Sequence, residues 1–448
     1  MSDDTNGVYP QTDDQTDEPQ PELLTSLIGR TISIDGLVER ILTQFDLEHG
    51  EGQSDAIRSA TSDVERRKLV RDTAEYVFGV ESLQLSPHDQ ARLISRAYSE
   101  IFGYGALDDL FADPTITTIS LDGVRHVGVR YSPAQELQAL EPLFEDTPHM
   151  HRVIQRLLRH AGAELRDDIP IIEAGLTVGQ RRVSLSVATP PFVPEMAVDM
   201  RLHPAQLPAL DDWVTTGILN EETATLLQAI IQSKHGLIIV GDTESGKTTL
   251  LAMLLQALDG AKLATVERAG ELHLPYGSRQ LVVQWPYNDQ VGVTFGKQIL
   301  NALALPDIQH LAIDEIRADE PHAIKPLLSD AAVPRQIWSF RGTADPKRLV
   351  SALGMLARMA NSSQPEHMVN QLYRRLPFIV ILKRSKDKLR VREIAEWQFP
   401  DTSTDDETSY ADYIPLMQMG WDDDACQPTG NTPQHALALD DAFWHSES

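Results

Sequence analysis

Cysteine is almost absent: among 448 residues only Cys426 appears, so no intramolecular disulfide and no cysteine-based zinc site can form, and a reducing compartment fits. Long apolar runs are missing too. No stretch approaches the roughly 18 residues of a membrane span, and the first residues lack the basic segment and apolar core of a secretory signal. Cations are in short supply, with 39 Lys and Arg against 66 Asp and Glu, a net charge of -27. Nucleic-acid backbones are met by clusters of Lys and Arg, so this balance argues against a nucleic-acid partner. The expectation is a soluble, cytoplasmic chain that takes no nucleic acid.

The acid is unevenly placed. Residues 1–22 hold seven carboxylates and 401–448 hold eleven, with no Lys or Arg in either, leaving 48 acids against 39 bases between them. Both ends are rich in Asp, Thr, Ser, Gln and Pro and read as disordered acidic tails. Between them, 23–100 shows apolar residues at three- and four-residue steps and predicts helices. Residues 101–203 change to short β-prone runs such as TITTISLDG and RRVSLSVA around one amphipathic helix, HRVIQRLLRHAG, a compact α/β domain. A stretch with Pro204 and Pro208 marks a linker over 204–220. From 221 to 400, helical segments alternate with strands that are apolar throughout, the pattern of a mostly parallel sheet covered on both faces.

The chemistry begins at GDTESGKTT, which lies between the strand GLIIV and the helical run TTLLAMLLQAL. Gly241 and Gly246 allow backbone amides to curl around phosphate oxygens, with Asp242, Thr243, Glu244, Ser245 and Thr249 completing the loop. Lys247 reaches the terminal phosphates and Thr248 offers a hydroxyl to Mg²⁺. The predicted strand HLAIDE ends in Asp314, a second Mg²⁺ group, and Glu315, a carboxylate for the attacking water. Between them TVERAGELHLP presents Glu267 and Glu271, either of which could face that water. The fourteen histidines show no metal-ligand spacing, and His149, His151 and His160, around an Arg-rich helix, read as surface residues.

The order of these motifs resembles the type II/type IV secretion and pilus-assembly ATPases, in particular the CpaF-like members of Tad-type systems. The segments IFGYGALDDLFADPTITTISLDG, PIIEAGLTVGQRR and AVDMRLH carry the likeness upstream of the phosphate loop. The resemblance implies a sensor-like α/β domain joined to a RecA-like P-loop ATPase domain, ATP and Mg²⁺ between them, and a homo-hexamer working on an inner-membrane secretion or pilus platform, with the membrane reached only through partners. It implies that Glu267 polarises water, that Glu315 is the glutamate of the acidic strand, and that Arg181 or Arg182 and Arg201 approach the phosphates. The chain also departs from the pattern. Val333 and Arg341 stand where histidines are expected, ALALPD replaces an arginine-rich element, and Arg268 replaces an aspartate. These changes imply a motor subunit or, alternatively, a catalytically degenerate nucleotide-binding regulatory or structural subunit.

Overall fold

A computed structural model describes residues 23–25, 31–50, 54–132, 135–329, 333–385, 388–400, 411–420 and 425–444. The expected acidic tail at 1–22 lies outside them. The chain divides into two units, Met1–Asp108 and Asp109–Ser448.

In the first unit β1 (Leu23–Thr25) pairs antiparallel with β2 (Thr31–Ser33), and helices follow at Ile34–His49, Asp55–Ser59, Asp63–Val80 and Pro87–Phe102. Serines set where each begins. Ser33, Ser54, Ser62 and Ser86 each accept a backbone N–H from the first turn, and Glu65 closes a capping box with Ser62. Their apolar faces meet in a core of Leu37, Ile41, Phe45, Val70, Ala74, Val77 and Leu93, as the three- and four-residue spacing predicts.

The second unit holds two sheets. The first, wholly antiparallel, comprises β3 (Thr118–Asp122), β4 (His126–Arg130), β5 (Gln138–Leu140), β6 (Ile171–Val178), β7 (Arg181–Ala188) and β8 (Ala197–Leu202), in the order β5-β4-β3-β8-β7-β6. Alternate residues such as Ile119, Val129, Leu185 and Met200 are buried, which leaves the opposite face to polar side chains. Register aligns Arg130, Thr118, Arg201, Ser184 and Gly175 into one rung across five strands of that face.

The second sheet comprises β9 (Leu237–Gly241), β10 (Leu263–Glu267), β11 (Arg279–Val282), β12 (His310–Ile316), β13 (Arg335–Arg341), β14 (Phe378–Ser385), β15 (Lys388–Gln398), β16 (Asp412–Met419) and β17 (Cys426–Pro428). Among the described residues its order is β11-β10-β12-β13-β9-β14-β15-β16-β17, parallel as far as β14 and antiparallel beyond. β9 is buried along its whole length. Its residues alternate between two cores: Leu237 and Ile239 pack with the helices Glu221–Gln232 and Lys247–Leu255, Ile238 and Val240 with Phe295–Leu303 and Pro346–Ala360. A strand apolar at every position is what two covered faces require. The α/β fold with a helical N-terminal segment and a mostly parallel P-loop sheet is therefore observed.

Two boundaries need correction. Residues 401–448, read as a disordered tail, contribute β16, β17 and the helix Asp441–Trp444. Leu416, Met417, Cys426 and Trp444 are buried in the same core as Leu237. The carboxylate count hid this because the acids cluster. Only Asp412, Asp440 and Asp441 of the eleven fall among described residues, while YIPLM supplies apolar groups for a strand. The linker at 204–220 is also partly packed, since Leu210–Thr215 is a helix that buries Trp213.

Candidate functional site

The phosphate loop leaves the carboxyl end of β9. Gly246 takes φ +78° just before the helix Lys247–Leu255, whose first turn, containing Thr248 and Thr249, has no side-chain cap. That leaves its N–H groups and the positive end of the helix dipole available to an anion. A Cβ at Gly241 would meet the Ser245 hydroxyl at 2.3 Å, and Ser245 Oγ is buried without a hydrogen-bond partner. Glu244 adopts φ +61°. Arg384 donates to its carbonyl at 3.1 Å, and its carboxylate pairs with Arg130 of β4. The Lys247 ammonium, 4 % exposed, donates to the Asp242 carbonyl at 2.8 Å and lies 3.2 Å from Glu315.

Parallel register brings the acidic strand alongside. The Thr248 hydroxyl donates to Asp314 at 3.1 Å, and Ser339 donates to the same carboxylate from β13. Burial, reinforced by the negative charges of Glu271 and Glu315, pushes Asp314 up to about 7. An acid so raised beside a hydroxyl, facing an uncapped helix end, suits Mg²⁺. The ion binds through few protein oxygens and substrate phosphates, and its charge would restore the carboxylate. Among the described residues no cluster of three or more His, Cys, Asp or Glu side chains could hold a metal alone, in keeping with a site that the substrate completes.

The cavity here measures about 420 Å³, and its walls come from both sheets. Arg130, Ser184, Arg201, Thr243, Glu244, Thr248, Glu267, Glu271, Asp314, Glu315, Arg317 and Arg341 line it. Of the predicted residues, Arg201 stands on the rung facing the loop, and Arg341 pairs in register with Gly241. Val333 precedes β13 at its opposite end.

Arg181 is elsewhere. Its guanidinium donates to the carbonyls of Asp113, Ile116, Leu202 and His203. With its guanidinium engaged by these four carbonyls, Arg181 is not among the residues that line the cleft, where the resemblance had it approach the phosphates. Arg182 instead donates to the carbonyls of Gly270, at 2.9 Å, and Leu272.

Glu267 also differs from expectation. It is 1 % exposed and accepts from Thr265 at 2.8 Å, Gln280 at 2.9 Å and the Leu272 N–H at 2.9 Å. Burial pushes it up to about 7 against the pull of those donors. Three donors make it the anchor of the acidic loop and leave little of the carboxylate to polarise water. Glu271, four residues on, lies 3.7 Å from His203 Nε2. Burial raises its pKa, opposed by a hydrogen bond from Ser184 and the charge of Arg201.

Sequence reasoning passed over the residues that join the two sheets. Arg317 donates to Glu173 of β6 at 2.7 Å and lies 3.5 Å from Glu315, while Trp285 Nε1 donates to the Glu173 carbonyl at 2.6 Å. A Cβ on Gly175 would meet the Ala269 carbonyl at 1.7 Å, so this backbone approach requires glycine. Arg268 donates to the Glu315 carbonyl at 3.2 Å, pairs with Glu320 and lies over the ring of Phe295. PIIEAGL contained Glu173 and Gly175, but nothing in their spacing revealed partners as distant in the chain as Ala269, Trp285 and Arg317.

Fold and cleft together define a P-loop α/β protein with a second sheet docked against its phosphate loop. Residues 137–327 match the model of the family described as Type II/IV secretion system protein. A Mycobacterium tuberculosis protein provisionally named for conjugal transfer is 26 % identical over 353 residues, 70 % of this chain and 94 % of its own length. The conjugal transfer protein TrbB of Rhizobium radiobacter is 26 % identical over 260 residues, covering 55 % of this chain and 74 % of its own. Among solved structures, the VirB11 ATPase of the Brucella suis type IV secretion system, crystallised with sulphate, covers 68 % of this chain and 96 % of its own, at 18 % identity and a TM-score of 0.33.

Proposed function

We propose that this cleft binds ATP and hydrolyses it, and that the chain is a motor subunit of a type IV-like secretion or Tad-type pilus-assembly machine of the CpaF-like kind. One observation carries the reading: the Thr248–Asp314 pair, the carboxylates of Glu271 and Glu315 and arginines from a second sheet line a single cavity, and Lys247 lies beside it, 3.2 Å from Glu315. Mg²⁺, held by Thr248 and Asp314, would supply charge to the β- and γ-phosphates. Lys247 exchanges the Asp242 carbonyl for phosphate oxygens, and Glu315 keeps it oriented. Glu271 accepts a proton from the attacking water as the bond to the ADP oxygen breaks. Arg201 and Arg130 lie where charge builds on the transferring group. In this reading the chain works as a homo-hexamer from the cytoplasmic side on an inner-membrane platform that it reaches through partners only. Among the described residues no helix is long and apolar enough to cross a membrane.

The withdrawal of Arg181 favours a second reading, a nucleotide-binding subunit that does not turn over. Steady-state phosphate release from purified protein separates the two. Turnover abolished by Lys247→Ala supports the motor; nucleotide binding without Lys247-dependent release overturns it.

A further inference from the structure

Glu271 belongs to the loop after β10, yet the groups nearest its carboxylate come from the other sheet. Ser184 sits on the cleft-facing rung of β7. Register pairs Ser184 with Arg201 of β8, so His203, two residues further along the chain, falls on the same face as its diagonal neighbour. Ser184 Oγ and His203 Nε2 are 2.6 Å apart. The same Nε2 is 3.7 Å from Glu271, and the nearby Ser184 hydroxyl pulls the pKa of that carboxylate down against its burial. Burial, with the positive charge of Arg201 next, holds His203 down at about 4, so the ring is neutral near pH 7. A neutral ring has one N–H. Placing it on Nε2 lets His203 donate to Ser184 Oγ and frees the serine proton for Glu271, and every group is then satisfied in one direction.

We propose that Ser184 and His203 are positioning residues that aim Glu271 at the attacking water, so that one sheet carries the base and the other orients it. This rests on the reading of Glu271 as proton acceptor given above. It follows that docking of the two sheets completes the catalytic group. A nucleotide-bound protein whose sheets are separated keeps Lys247, Thr248 and Asp314 but loses the direction of its base. Neither residue has a donor directed at the phosphate loop, so their loss should be felt in turnover and not in nucleotide affinity.

The test is phosphate release by the full chain, paired with titration of a fluorescent ATP analogue in the presence of Mg²⁺. Ser184→Ala and His203→Ala are expected to lower kcat by about tenfold to a hundredfold, the scale of a misplaced catalytic group, with analogue affinity within about twofold of wild type. Ser184→Thr, which keeps the hydroxyl, is expected to recover most of the lost rate. Glu271→Gln sets the floor. The proposal is overturned if Ser184→Ala turns over like wild type, or if the alanine and threonine variants lose rate and affinity together, as a merely structural serine would dictate. An inactive wild type overturns the functional reading along with it, whereas an active wild type beside an equally active Ser184→Ala overturns the positioning role alone.

Discussion

Replacing Arg335 with methionine removes the cation that closes the end of the helix Glu221–Gln232. Its guanidinium donates to the carbonyls of Ile231 at 2.7 Å and Ile230 at 2.9 Å in the last turn and of His235 at 2.6 Å just beyond it; Ile230 also accepts from Ser233, so Ile231 and His235 are the two that lose their donor. No carboxylate appears among these partners, and burial alone pushes the arginine down to about 10. Its stabilising effect therefore comes from three charge-assisted hydrogen bonds set against desolvation. Each carbonyl left unsatisfied in a buried setting costs about 1–3 kcal/mol, and relief of the desolvated charge offsets part of the sum. The expected net loss is about 2–4 kcal/mol for Arg335→Met. Arg335→Lys, whose single ammonium cannot span three acceptors, should lose roughly half as much. Urea unfolding followed by tryptophan fluorescence reads this directly, because Trp338 and Trp397 are buried in one core of the same sheet. A methionine variant within about 1 kcal/mol of wild type would refute the reasoning.

Three further outcomes follow from the site. Glu267, raised to about 7 in the folded protein, keeps a proton that the unfolded chain releases above its ordinary 4.5; this contribution is fully present below 4.5 and is lost as pH rises through 7, about 3 kcal/mol in all. Urea midpoints at pH 5 and pH 8 should show a smaller decline for Glu267→Gln than for wild type, and parallel declines would count against the buried acid. A double-mutant cycle on Glu173 and Arg317, both about one-quarter exposed, should give a coupling near 1 kcal/mol in stability, with zero coupling discounting the tie between sheets. Gly175→Ala should force the sheets apart at Ala269 and raise protease susceptibility without altering the far-UV spectrum; an unchanged digestion pattern would argue that the approach is not tight.

Much of this molecule could be read from its residues, because the strongest elements are local. β9 and the phosphate loop are continuous in sequence, and GLIIVGDTESGKT carries both the burial and the turn chemistry that fix them. The helices of the first unit were legible from apolar spacing for the same reason, and the structure adds that serines acting within four residues set their starts. What escaped was non-local. Arg181 and Arg182 are neighbours on one strand, and only register decides that the first turns to its own sheet while the second reaches Gly270 and Leu272. Glu267 and Glu271 looked equivalent in spacing, and their difference arises from Gln280, Ser184 and His203, which lie in separate segments. The final 48 residues were misjudged because average composition hides a short apolar strand, Asp412–Met419, between acidic stretches.

That last segment also bears on how the protein behaves in a crowded solution. β15 is eleven residues long and, without β16, its outer N–H and C=O groups would form a template onto which another chain could add. The added strands shorten stepwise, to eight residues in β16 and three in β17, and β17 ends at Pro428, which has no N–H to offer. Among the described residues the sheet thus tapers to a border that resists the addition of another strand, and the acid-rich end of the chain guards that edge by geometry as well as by charge.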